Sequence, residues 1–113
     1  MRKIINGKLY DTETATQLVE QHWFTAHPND GAHQRDLLHQ REVYRTKKGA
    51  LFAYSYDKIG YGRDEHGCTG LFTREENEII PLSSDTDAVW WCENEGIKAD
   101  KILEAFGESV EEA

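Results

Sequence analysis

Histidines, cysteines and paired carboxylates are the residues of this chain with the widest chemical reach. His22, His27, His33 and His39 follow one another at spacings of five, six and six. A structural zinc site needs two close ligand pairs, and a helical metal site needs histidines one turn apart. These spacings supply neither, so the four read as loop and surface histidines. Asp64-Glu65-His66-Gly67-Cys68 gathers several ligand types, but no second Cys/His pair stands at finger distance, and Cys92 falls on a stretch that reads as a helix. No metal and no cofactor is expected. No nucleophile signature appears either: Gly-x-Ser-x-Gly is absent, and neither cysteine is flanked by groups that would depress its pKa. Gly60-Tyr61-Gly62 begins like a dinucleotide fingerprint, yet lacks its third glycine and its strand–helix setting. There is no Walker loop. Many carboxylates are present, and nothing selects a general acid/base pair from them. The reading is of a chain without catalytic residues, not an enzyme.

Two sets of side chains carry binding chemistry instead. Arg45, Lys47, Lys48 and Arg63, with Tyr54, Tyr56 and Tyr61, fit a basic-aromatic platform for single-stranded nucleic acid. The plainer reading is a hairpin with lysines at its tip, which discourage edge-to-edge pairing, and a row of tyrosines beyond. The other set is acidic: Asp85, Asp87, Glu93, Glu95, Asp100, Glu104, Glu108, Glu111 and Glu112. Its plain reading is the solvated side of two helices and a tail. Its functional reading is a carboxylate surface that imitates nucleic acid and enters a basic groove of a partner protein, with Asp64 and Glu65 adding to it. Such surfaces steer association and weaken with salt.

The charge distribution favours the acidic set. Residues 1–50 hold eight Lys/Arg against six Asp/Glu, a net of +2, whereas residues 51–113 hold five against fifteen, a net of −10. A polyanion would be repelled by the second half, which disfavours direct nucleic-acid binding.

The elements that must position these residues fit a single domain over 1–113, long enough for one core without staples. Three Trp, five Tyr and four Phe supply much of the burial. The amino-terminal segment has no apolar signal region, no run approaches membrane-spanning length, and two cysteines allow at most one bridge. A cytoplasmic chain with reduced thiols is expected, without membrane contact.

Glu42–Tyr56 is the organising hairpin. Thr46-Lys47-Lys48-Gly49 fits its turn, placing Tyr44, Phe52, Tyr54 and Tyr56 on one face and Val43, Arg45, Leu51 and Ala53 on the other. A smaller hairpin opens the chain around Asn6-Gly7, with Ile4 and Leu9 expected to pack inward. Asp11 or Thr12 would then cap a helix over 12–24, since Ala15, Leu18, Val19, His22 and Trp23 fall on one helical stripe. Loops are expected at 25–35 and 57–70, with another hairpin or short strand ending at Pro81. Ser83 or Ser84 caps a second helix with Ala88, Trp91 and Cys92 inward, stopped at Gly96. A third follows over 99–106, with Ala99, Ile102, Leu103 and Phe106 inward. The sum is an α+β fold: an antiparallel sheet of about four to five strands, with two to three helices packed mainly on one face.

Three fragments together also carry a resemblance: Tyr10-Asp-Thr-Glu-Thr-Ala15 with the Asn6-Gly7 turn before it, Tyr44-Arg-Thr-Lys-Lys-Gly49, and Ile79-Ile-Pro-Leu-Ser83 followed by Ala88 and Trp91. In this order they resemble a family of small, mostly uncharacterised bacterial accessory proteins carried by phages and integrative elements of Gram-positive hosts. The resemblance spans nearly the whole chain and implies no catalytic residues. Such cargo includes inhibitors of host defence, among them anti-CRISPR proteins. It therefore implies a non-enzymatic factor that binds a host protein, in its sharpest form an inhibitor of a CRISPR–Cas effector.

Overall fold

The computed structural model describes residues 1–26, 36–61 and 72–113. Strands β1 (Arg2–Ile5) and β2 (Lys8–Asp11) form a two-stranded hairpin of their own. Strands β3 (Thr16–Ala26), β4 (Asp36–Arg45), β5 (Leu51–Tyr61) and β6 (Phe72–Leu82) form a four-stranded antiparallel sheet in chain order. Helices α1 (Asp85–Asn94) and α2 (Ala99–Phe106) follow, closed by a 3-10 turn at Gly107–Ser109. The architecture is α+β with a four-stranded antiparallel sheet, as the sequence implies. Among the described residues there are two α-helices, and the first hairpin adds no strand to the main sheet.

The main departure is at 12–24, where the expected helix is strand β3. The local hydrogen bonding is of the kind that starts a helix: Asp11 Oδ1 accepts from the Glu13 amide at 2.9 Å, and its carbonyl from the Ala15 amide at 3.1 Å. It closes as a turn instead, and the chain then pairs with β4 from Thr16↔Arg45 to Ala26↔Asp36. Thr16, Val19, Trp23, Phe24 and Thr25 favour a pleated surface. A bulge between Gln17 and Val19 shifts the register. Both Leu18 and Val19 thereby reach the helix-side core, which gives the segment its helix-like spacing.

The two predicted turns form with their expected register. Asn6 (φ 52°) and Gly7 (φ 75°) occupy left-handed backbone, which glycine adopts at no steric cost, and Ile4 faces Leu9. Their burial is the reverse of the expectation, for Ile4 is 71% and Leu9 50% exposed. Tyr10, on the other side of the hairpin, is 8% exposed and meets Phe52 edge-on at 5.4 Å. Tyr10, with Ile5 on the same side of the hairpin, joins the aromatic cluster of Tyr44 and Phe52, and that side faces inward. In the central hairpin the Gly49 amide donates to the Thr46 carbonyl at 2.9 Å, and Tyr44 lies opposite Phe52 with stacked rings 5.2 Å apart.

Both faces of the sheet are covered near that turn. On one, Tyr10 of the small hairpin packs with Tyr44, Phe52 and Ile79. On the other, Val19, Val43, Leu51 and Ala53 pack against Ala88, Trp91 and Cys92 of α1 and Ile102 and Phe106 of α2. Both helices thus lie on one face, as expected. Pro81 sits within β6 opposite Phe52; β6 is an edge strand, where a missing amide donor is tolerated.

Candidate functional site

The end of α1 is fixed by local chemistry. Ser84 Oγ accepts from the Asp87 amide at 3.1 Å, and Asp87 Oδ2 accepts from the Ser83 amide at 3.1 Å, a reciprocal cap. At the other end, the Ile97 amide donates to Cys92 O at 3.0 Å and the Gly96 amide to Glu93 O at 3.2 Å, with Gly96 at φ 74°. This is a Schellman closure, whose left-handed position favours glycine. With Ala88, Trp91 and Cys92 held inward, Trp90 and Glu93 are turned out, and Trp90 is 61% exposed. In α2, Ile102 and Phe106 face inward as expected, but Ala99 and Leu103 do not; Leu103 is 51% exposed.

Between the end of α1, α2 and the tail runs an open groove of about 330 Å³. Ile97, Ile102, Leu103 and Val110 give it apolar walls, and Glu93 stands at its edge. Trp90 lies one helical turn before Glu93 on the outward side of α1. An exposed tryptophan near an apolar groove is the kind of feature around which protein contacts are built.

The acidic residues singled out in the sequence fall into two groups. Asp85 accepts from Arg45 Nη2 at 3.1 Å, Asp87 is the cap, and Glu95 pairs with Arg41 Nε at 3.6 Å. These three hold the fold together. Glu93, Asp100 and Glu104 are exposed and make no ion pair or side-chain hydrogen bond among the described residues. Asp64 and Glu65 lie outside the described residues.

The basic-aromatic set is similarly divided. Arg45 is taken up by Asp85 and by the Gly49 carbonyl, at 3.3 Å. Lys47 and Lys48 are exposed at the turn. Tyr54 and Tyr56 stack on each other at 6.5 Å on the face of the small hairpin. Burial first, then Glu42 beside Tyr54 and Glu75 beside Tyr56, push both hydroxyls above the ordinary tyrosine range. The tyrosines therefore face carboxylates. Tyr61 ends β5, its backbone paired with Phe72; Arg63 lies outside the described residues.

A polar cluster on the helix face has no counterpart in the sequence reading. His39 Nδ1 lies 2.7 Å from Asp57 Oδ1, and its Nε2 lies 2.9 Å from Thr25 Oγ1. Arg41 Nη1 donates to Asp57 Oδ1 at 3.0 Å. The guanidinium sits 5.3 Å from the Trp23 ring, and that ring stacks on His39 at 5.2 Å. Burial alone would raise the Asp57 carboxyl; the hydrogen bonds from Arg41 and His39 outweigh it and hold Asp57 below the ordinary carboxylate range. Hydroxyl, imidazole and carboxylate are linked in the order used by general-base catalysis. Here Arg41 neutralises the carboxylate and continues to Glu95, so the chain of contacts ties the sheet to the end of α1. Among the described residues no group of three His, Cys, Asp or Glu stands close enough to hold a metal.

Among the described residues no helix is long and apolar enough to cross a membrane. No family model matches this chain, and neither a curated protein nor a solved structure is significantly similar to it.

Proposed function

We propose that this chain is a non-enzymatic protein-binding accessory factor of a mobile element, and that it presents the outward surface of α1 and α2 to its partner. The observation that carries the reading is the placing of Trp90 and Leu103, both more than half exposed, in the same helical layer as Glu93, Asp100 and Glu104, carboxylates without an ion pair among the described residues. Buried aromatic anchors supply most of the energy of a protein interface, while charges at its rim set orientation and association rate. A partner complementary to this surface has a basic groove with an apolar floor. The sharpest version, which rests on the family resemblance, is a CRISPR–Cas effector whose nucleic-acid channel is occupied by these carboxylates. The partner lies in the host cytoplasm in this reading.

The experiment is capture from host lysate on the immobilised chain, with mass spectrometry, then affinity measurement with the captured protein. Trp90→Ala is expected to weaken binding at least about tenfold. Reversal of Glu93, Asp100 and Glu104 to Lys should slow association and remove its salt dependence. If both variants stay folded and bind as the parent chain does, the helix surface is not the interface. A captured partner without a nucleic-acid channel would retire the CRISPR version alone.

A further inference from the structure

We propose that the groove between the small hairpin and the central turn binds a small phosphate-bearing anion. Lys8, Leu9 and Thr14 line one side, and Thr46, Lys47 and Lys48 the other. The open space is about 540 Å³, within the range of small-molecule sites. The sequence shows only the lysine pair at the turn; folding of β2 against the sheet brings Lys8 to join it.

The charge of this groove is uncompensated. Lys8, Lys47 and Lys48 make no ion pair or side-chain hydrogen bond among the described residues. Among the other described cations Arg41, Arg45 and Lys58 each have a carboxylate partner and Lys101 Nζ donates to the Glu20 carbonyl, while Lys3 and Lys98 stand singly outside the groove. The one carboxylate among the described residues that line the groove, Asp11, already accepts from the Glu13 amide at 2.9 Å and pairs with Arg2 at 3.5 Å. Thr46 Oγ1 accepts from the Ala50 amide at 3.0 Å, which leaves its hydroxyl proton to donate. Three ammonium groups and two hydroxyls around one space suit clustered phosphate oxygens. Half-exposed Leu9 gives an apolar wall for an organic portion.

A small anion suits the site better than a nucleic-acid strand. The formal net charge of the chain is −8, and a long polyanion feels all of it. A compact ligand within a Debye length, about 8 Å at physiological salt, feels mainly the three lysines.

The test is an NMR titration of the full chain with ATP and, separately, with inorganic tripolyphosphate at physiological salt. Saturable shifts at the amides of Lys8, Leu9, Thr14 and 46–50 with either probe, half-complete below about 1 mM, are expected. The Lys8→Gln/Lys47→Gln/Lys48→Gln variant should lose about tenfold or more in affinity, since exposed charge pairs each contribute up to about 1 kcal/mol. Lys98→Gln, a change at an exposed lysine before α2, should leave it unchanged. All four lysines are exposed, and an unchanged thermal melt confirms that each variant folds. No saturable shift with either probe overturns the proposal, as does an equal loss with Lys98→Gln. Tighter binding of a single-stranded oligonucleotide through the same lysines would replace the small anion with nucleic acid.

Discussion

His39 and Asp57 face each other across β4 and β5, with imidazole Nδ1 2.7 Å from the carboxylate. Arg41 shares that carboxylate at 3.0 Å, so one aspartate of β5 holds two polar side chains of β4. Asp57→Asn is expected to destabilise the chain by about 1–3 kcal/mol at neutral pH, because it leaves a largely buried guanidinium with only the longer Glu95 contact, at 3.6 Å, as counter-charge. The pH dependence has a definite sign. The folded carboxyl is held below its ordinary value, so its contribution is present above the unfolded pKa, about 4, and is lost as pH falls through the lower folded value. Urea unfolding of parent and variant should therefore differ most at neutral pH and converge in acid. A difference that stays constant down to acid pH would contradict the pairing.

Gln21 offers a direct check on β3. Its amide Nε2 donates to the Gly96 carbonyl at 3.1 Å and its Oε1 accepts from the Lys98 amide at 2.9 Å, so one side chain clasps the α1–α2 connection. Gln21→Ala is expected to cost about 1–2 kcal/mol and to raise amide exchange at 96–98. Exchange that is unaltered there, with stability unchanged, would mean that the clasp does not form in solution.

These two sites show where local reading stops. The turns and caps were legible because their signals are local: Asn6-Gly7, Thr46 to Gly49, and Ser84 with Asp87 each act over four residues or fewer. The division of the central hairpin into two faces was legible because Tyr44 and Phe52 alternate with Val43 and Leu51 at period two around a turn of known length; that both faces are covered was not. β3 was not. Its bulge at Gln17–Val19 places Leu18 and Val19 together, and the resulting spacing of Ala15, Leu18, Val19, His22 and Trp23 matches a helix. With β3 read as a helix, Thr25, His39, Arg41 and Asp57 had no common face, and their cluster could not be assembled. Only the register of three strands brings them together. On the helices, the sequence indicated an acidic surface, but it could not separate carboxylates spent on Arg45, Ser83 and Arg41 from those left to solvent.

Cys92 is fully buried against the sheet, and burial pushes its thiol up to about 11. A thiol rather than a thiolate is then present at any ordinary pH, and it is inert. In a Cys68→Ser background, Cys92 is expected to resist a disulfide reagent at pH 8 and to react fully once urea unfolds the chain. Rapid labelling of the native protein would show that α1 does not seat it against the sheet.

The division of the acidic residues gives the prediction closest to function. Asp87→Ala removes a carboxylate that accepts from both the Ser83 amide and hydroxyl, and is expected to cost about 1 kcal/mol, as loss of a helix cap does. Asp85→Ala frees Arg45 from a half-exposed pair and should cost about 1 kcal/mol or less. Reversing Glu93, Asp100 and Glu104 to Lys moves the formal net charge from −8 to −2. It breaks no contact among the described residues, so stability should stay within about 0.5 kcal/mol per site. Thermal and urea unfolding of the three variants separate the groups. If the triple reversal unfolds the chain, those carboxylates are structural, and loss of partner capture by that variant would say nothing about the interface. If it is as stable as the parent, the same variant isolates surface charge from fold, and its effect on capture reads the acidic surface directly.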